Sequence, residues 1–108
     1  MDIGIISMRY AKALMEYAKS TGAEDRLYTE MRTLSRSFEK HPDLRKALEN
    51  PVLSAREKFS LICTAAVGNA SAGREFTRFI MLVLRNRREL FLQYICLSYL
   101  ALYRKNKH

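Results

Sequence analysis

Glycine and proline are scarce in this 108-residue chain, at four and two residues. That is too few for the closely spaced turns of an all-β fold. Long apolar runs are missing as well. The longest, Phe79 to Leu84, is six residues, and the apolar stretch Phe91–Tyr103 is interrupted by Gln93 and Ser98, so no membrane span of about 20 residues is encoded. The start, Met-Asp-Ile-Gly-Ile-Ile, has neither the basic region nor the apolar length of a secretory signal, and it is not an Arg/Ser-rich transit peptide. These absences predict a soluble chain that stays where it is made.

The chemistry of catalysis is equally thin. There are two histidines, His41 beside Pro42 and His108 at the end, and neither is spaced from a Ser, Cys or carboxylate as a catalytic pair would be. Gly68 and Gly73 do not form a phosphate-binding loop, and the acidic residues are too scattered to hold a metal. Cys63 and Cys96 lie in apolar surroundings without zinc or redox spacing, and are expected to be reduced core residues. The expectation is a non-catalytic binding protein that needs no cofactor.

What is present is charge and helical periodicity. Nineteen basic residues face 11 acidic ones, a formal net charge of +8. Residues 1–50 carry 9 basic and 8 acidic groups, residues 51–84 carry 4 and 2, and residues 85–108 carry 6 and 1. A basic end fits a nucleic-acid partner, an anionic membrane or an acidic protein face, but cations also gather at helix C-termini and in frayed tails. The run Arg104-Lys105-Asn106-Lys107-His108 reads as such a tail.

Apolar spacing predicts one all-α domain with six helices. The first runs from about Ile3 to Ser20 and stops at Thr21-Gly22. The second covers about Ala23 to Lys40, with Leu27, Met31, Leu34 and Phe38 as one buried stripe. Pro42 opens a short third helix to about Asn50, and Ser54 with Glu57 forms a capping box for a fourth to about Val67. Residues 68–73 are loop-like. A fifth helix is expected from about Ser71 to Arg87 and a sixth from about Arg88 to Lys105, the alternative at that joint being one unbroken helix of about 30 residues.

The first helix has more apolar surface than one core contact needs. On a helical wheel Ser7, Ala11, Leu14, Met15 and Ala18 form a core face, while Ile3, Ile6, Tyr10, Ala13 and Tyr17 form a second apolar strip. Either the helix is central in its bundle or the second strip covers a partner. On the fifth helix Phe76, Ile80 and Val83 make the core line. Leu82 falls among Arg74, Arg78 and Arg85, with Phe79 at the margin. An apolar strip beside a basic one suits an amphipathic helix that carries acidic residues.

The run Arg9-Tyr10-Ala11-Lys12-Ala13-Leu14, followed by Tyr17-Ala18, resembles the opening helix of the ATP synthase delta subunit family, which includes the mitochondrial oligomycin-sensitivity-conferring protein. The segment Phe79 to Arg88, with its Asn86-x-Arg88, leads into Leu92, Ile95 and Tyr99 and is similar to that family's second signature. His41-Pro42-Asp43-Leu44 and Asn50-Pro51-Val52-Leu53-Ser54 sit where the family has its third helix and the start of its fourth. Two positions depart: Arg87 stands where Gly is common, and Glu89 where an aliphatic residue is usual.

The resemblance spans essentially the whole chain and implies a six-helix bundle over residues 1–108, the N-terminal domain of a family whose second, C-terminal domain is absent here. It implies a peripheral-stalk stator role without catalysis. The domain would grip the amino-terminal helix of an alpha subunit between its first and fifth helices, and the second domain would join the b subunit. It further implies a peripheral place on the cytoplasmic face of the bacterial plasma membrane, without membrane insertion or nucleic acid. Tyr10 and Ala13 carry the first-helix contact, with Ile6 and Tyr17 added by helical spacing, and Arg78, Phe79 and Leu82 are the fifth-helix contributors. Two rivals rest on charge. One is a small basic RNA-binding domain of the transcription-antitermination type, and the other a membrane-surface helix over Phe91 to Lys107.

Overall fold

A computed structural model describes residues 2–107; Met1 and His108, including the expected solvation of His108, lie outside the described residues. The described chain is all-α, with helices α1 (Ile3–Thr21), α2 (Glu24–Lys40), α3 (Pro42–Glu49), α4 (Ala55–Val67), α5 (Arg74–Arg85) and α6 (Leu92–Asn106). A single 3-10 turn, Glu89–Phe91, precedes α6.

Local chemistry sets most of the boundaries. Asp2 caps α1 by accepting the Ile5 N–H at 3.2 Å, and Gly22 ends it in the left-handed conformation at φ 73°. Pro42 occupies the first turn of α3, where its missing N–H costs nothing. Ser54 and Glu57 form both bonds of the capping box at 3.1 Å each.

The core faces are those that the periodicity marks. Ser7, Ala11, Leu14, Met15 and Ala18 of α1 are buried, as are Leu27, Met31, Leu34 and Phe38 of α2. Helix α6 packs mainly between α1 and α2, while α4 joins α2 to α5. Leu92, Ile95, Cys96, Tyr99 and Leu100 are sunk in that core, which removes the main apolar face from the membrane-surface reading of Phe91 to Lys107 and leaves Tyr94 and Leu97 exposed. Burial pushes the Cys96 thiol well above its ordinary pKa. Both thiols are free, but Cys63 is only half-buried rather than a core residue.

Three expectations need correction. First, α5 starts at Arg74 rather than Ser71. The reason is tertiary: Glu30 of α2 accepts the Gly73 N–H at 2.7 Å, and Arg26 lies over Gly73 so closely that an added Cβ would meet its Nε at 3.0 Å. Second, α5 ends at Arg85, and Arg87 takes φ 55°, so a single continuous helix through residues 85–92 does not form. Third, the basic end is no frayed tail. Helix α6 continues to Asn106, Lys107 Nζ lies 3.5 Å from Asp25 Oδ1, and the Tyr103 hydroxyl donates to the same oxygen at 2.8 Å.

Arg87 pays a left-handed penalty that glycine avoids. Its side chain is exposed, so Arg87→Gly removes strain without opening a cavity. Chemical denaturation is expected to show a gain of about 0.5–1 kcal/mol. A loss of stability would show that the arginine side chain makes contacts that outweigh the strain.

Candidate functional site

The second apolar strip of α1 faces α5 across an open cleft of about 580 Å³. Tyr10, Ala13, Leu14 and Tyr17 supply one wall, with Arg9 at its edge, and Arg78, Phe79, Leu82 and Asn86 supply the other. Both walls follow from helical spacing. Tyr10, Ala13 and Tyr17 stand at intervals of three and four on α1, and Arg78 or Phe79, Leu82 and Asn86 do so on α5.

The floor is apolar and tightly set. Phe79 is 5% exposed and Leu14 1%, and the Tyr10 ring meets Phe79 edge to face at 6.4 Å with 71° between planes. Leu82 is 41% exposed at the opposite lip, and Ala13 presents its methyl to solvent midway along α1. Two cross-links span the cleft: Asn86 Nδ2 donates to Tyr10 Oη at 2.9 Å, and Arg78 Nη1 donates to Tyr17 Oη at 3.5 Å. Tyr10 pairs with the end of α5 and Tyr17 with its middle, so the two helices run in opposite directions. Arg9 and Arg78 are exposed at the rim, and no carboxylate lines the cleft.

Six of the seven candidate residues therefore converge here: Tyr10, Ala13, Tyr17, Arg78, Phe79 and Leu82. Ile6 does not line the cleft. It lies half-buried one turn before Tyr10, and α5 has already ended at the Asn86 cross-link. Phe79 is buried rather than marginal, so it contributes floor rather than rim. Arg9, Leu14 and Asn86 are additional lining residues. The Asn86-x-Arg88 run carries a signal for Asn86; Arg9 reads from sequence as solvent-facing and Leu14 as core.

Among the described residues no group of three His, Cys, Asp or Glu is placed to hold a metal ion, and no helix is long and apolar enough to cross a membrane. The cleft combines an apolar floor with an exposed arginine at each wall.

Comparison with known proteins decides the family. The profile of the ATP synthase delta (OSCP) subunit matches residues 6–108. The chain belongs to the ATP synthase delta (OSCP) subunit family. It is 62% identical, over its whole length, to the ATP synthase subunit delta of Bacteroides thetaiotaomicron and 57% identical to that of Bacteroides fragilis. The more distant ATP synthase subunit delta of Paramagnetospirillum magneticum is 37% identical over 92% of the chain and 53% of its own length. The chain spans 58% of the length of the two Bacteroides relatives. Both Bacteroides relatives are named as a subunit of ATP synthase, and the family assignment is to that subunit rather than to an RNA-binding domain of the antitermination type.

The wall formed by α5 is anchored from behind. Glu30 is 4% exposed, accepts the Gly73 N–H that begins α5, lies 3.7 Å from Arg26 Nε, and leaves its second oxygen without a partner. Burial raises its carboxyl above the ordinary glutamate range; the Gly73 N–H and Arg26 oppose this, and Glu75 adds to it. The protonated form is thus relatively favoured in the folded chain. The stability it contributes is full below the pKa of an unfolded glutamate and is lost as pH rises through the folded value. Measured against Glu30→Gln, the wild-type chain is expected to lose relative stability as pH rises above about 4.5 and then to level off. A pH-independent difference in denaturation free energy between the two would refute this role for burial.

Proposed function

We propose that this delta-family chain is a stator element of the peripheral stalk of an F-type ATP synthase. Its α1–α5 cleft clamps the amino-terminal amphipathic helix of an alpha subunit on top of the catalytic head. Residues 1–108 form the helical N-terminal domain. A further domain of the kind that fills the rest of the relatives' length joins the b subunit, with the assembly at the cytoplasmic face of the bacterial plasma membrane.

The observation that carries the reading is an apolar cleft with an arginine rim and no acid of its own. An amphipathic helix laid between α1 and α5 would bury its apolar face on Phe79, Leu14 and Leu82, and Ala13 would let its backbone approach closely. Apolar burial at about 25 cal/mol per Å² supplies gross energy from which the cost of ordering the visiting helix is subtracted. The result is a slowly dissociating grip, as a part that resists torque without doing chemistry requires. Arg9 and Arg78 would steer and orient an acidic helix more than they tighten it.

The test is calorimetric titration with a synthetic peptide carrying a bacterial alpha-subunit amino-terminal helix, followed by NMR mapping. One-site binding is expected, with amide shifts concentrated at Tyr10 to Tyr17 and Arg78 to Asn86. No binding, or shifts centred on another face, would reject the clamp.

A further inference from the structure

Direct contact between α1 and α5 contributes little to setting the width of the cleft, which the core beneath them fixes only at its floor. Helix α1 is held mainly by α6, and α5 mainly by α4, while α1 and α5 touch each other little. Two side-chain hydrogen bonds to tyrosine hydroxyls join the walls of the cleft at the surface, Asn86 to Tyr10 at 2.9 Å and Arg78 to Tyr17 at 3.5 Å. The tyrosines are seven residues apart on α1, about 10.5 Å or two helical turns. The cross-links therefore lie on either side of Ala13 along the cleft.

We infer that Asn86 is a positioning residue: by bonding the Tyr10 hydroxyl it holds the α1–α5 cleft at the width a helix requires, with the longer Arg78–Tyr17 bond acting as the second, weaker tie. This inference rests on the reading that the cleft receives a helix, and it assigns Asn86 a role distinct from contacting that helix. Three features support it. The shorter tie sits where α5 ends, and the Asn86 N–H bonds back to Leu82 O at 3.0 Å, so the side chain hangs from an ordered turn. The Tyr10 ring is already braced against Phe79, so the hydroxyl needs little further ordering to bond. The tie is solvent-exposed, so it adds little to global stability while still restricting how far the walls separate. A cleft that spends part of its time too wide binds more weakly in proportion to the time lost.

The experiment is a double-mutant cycle with Tyr10→Phe and Asn86→Ala, using a bacterial alpha-subunit amino-terminal peptide as the probe. Each single change is expected to weaken binding about three- to tenfold, the equivalent of one hydrogen bond in the competent state. The double change should be no weaker than the poorer single one, with thermal midpoints almost unmoved. Additive losses would mean that the two groups touch the peptide separately, and unchanged affinities would mean that the tie does nothing; either overturns the inference. A peptide-free measurement separates this from the clamp itself. In the NMR spectrum of Tyr10→Phe, amides from Leu82 to Asn86 across the cleft should shift. Shifts confined to α1 overturn the tie even if the peptide binds normally. A wild-type chain that fails to bind the peptide overturns the clamp, and the tie is then judged on the peptide-free spectrum alone.

Discussion

Ala13→Asp is expected to abolish binding of an alpha-subunit amino-terminal peptide while leaving the helical circular dichroism spectrum intact. Ala13 is exposed in the free domain, opposite the buried Ala11 and Ala18 side of α1, so the substitution disturbs no core contact. Its cost to the free helix is one of propensity, about 0.6 kcal/mol. In the filled cleft the new carboxylate would lie between two tyrosine rings and against the visiting helix. Burying a charged group there costs about 3 kcal/mol or more, of which pairing with Arg9 four residues back returns about 0.5 kcal/mol, a net fall in affinity of about 50-fold or more. Asp at Ala101, exposed on α6 and outside the cleft, serves as the charge control. Retained affinity in Ala13→Asp removes the helix from this groove.

The largest effect on stability is expected at the joint between α5 and α6. Lys58 Nζ of α4 lies 2.9 Å from Glu89 Oε2, with the two side chains 10% and 15% exposed and Glu89 Oε1 left without a partner. Removing one charge strands the other in a largely dry site, so Lys58→Met and Glu89→Leu should each cost about 2–3 kcal/mol, somewhat below the figure for a fully buried pair. Replacing both puts apolar groups against each other, and the double variant should return to within about 1 kcal/mol of the wild type. Urea denaturation of the four proteins decides it. Strictly additive losses would show that the two charges are not coupled.

That pair gives the charge of Glu89 a partner in Lys58, two elements away in the chain. Sequence alone could not supply that, because Lys58 sits on a helix whose apolar spacing offers no reason to bury an ammonium. The two faces of α1, by contrast, were legible at single-residue level. A 19-residue helix without glycine or proline after Gly4 keeps its phase, so each position's direction follows from counting. The same holds for the Ser54–Glu57 box, whose partners are three residues apart. The start of α5 was not legible, because Gly73 is pinned by Glu30 and Arg26 from 43 and 47 residues away. Asn86 was visible as part of a signature, but its bond to Tyr10 spans 76 residues, and only the folded bundle brings them together. Ile6 lies outside the cleft lining for a related reason: helical phase gives a direction, not the length of the helix opposite.

The C-terminal half of α6 and the residue that follows it are sewn to the first turn of α2. Tyr99 donates its hydroxyl to Glu24 O at 3.0 Å, Tyr103 donates to Asp25, and Lys107 lies beside the same carboxylate. Tension applied along α6 would therefore be shared by these bonds. It would be passed at once into α2 and, through the buried seam of α6, into α1. The helix that walls the cleft is thus mechanically in series with α6 and, through it, with α2.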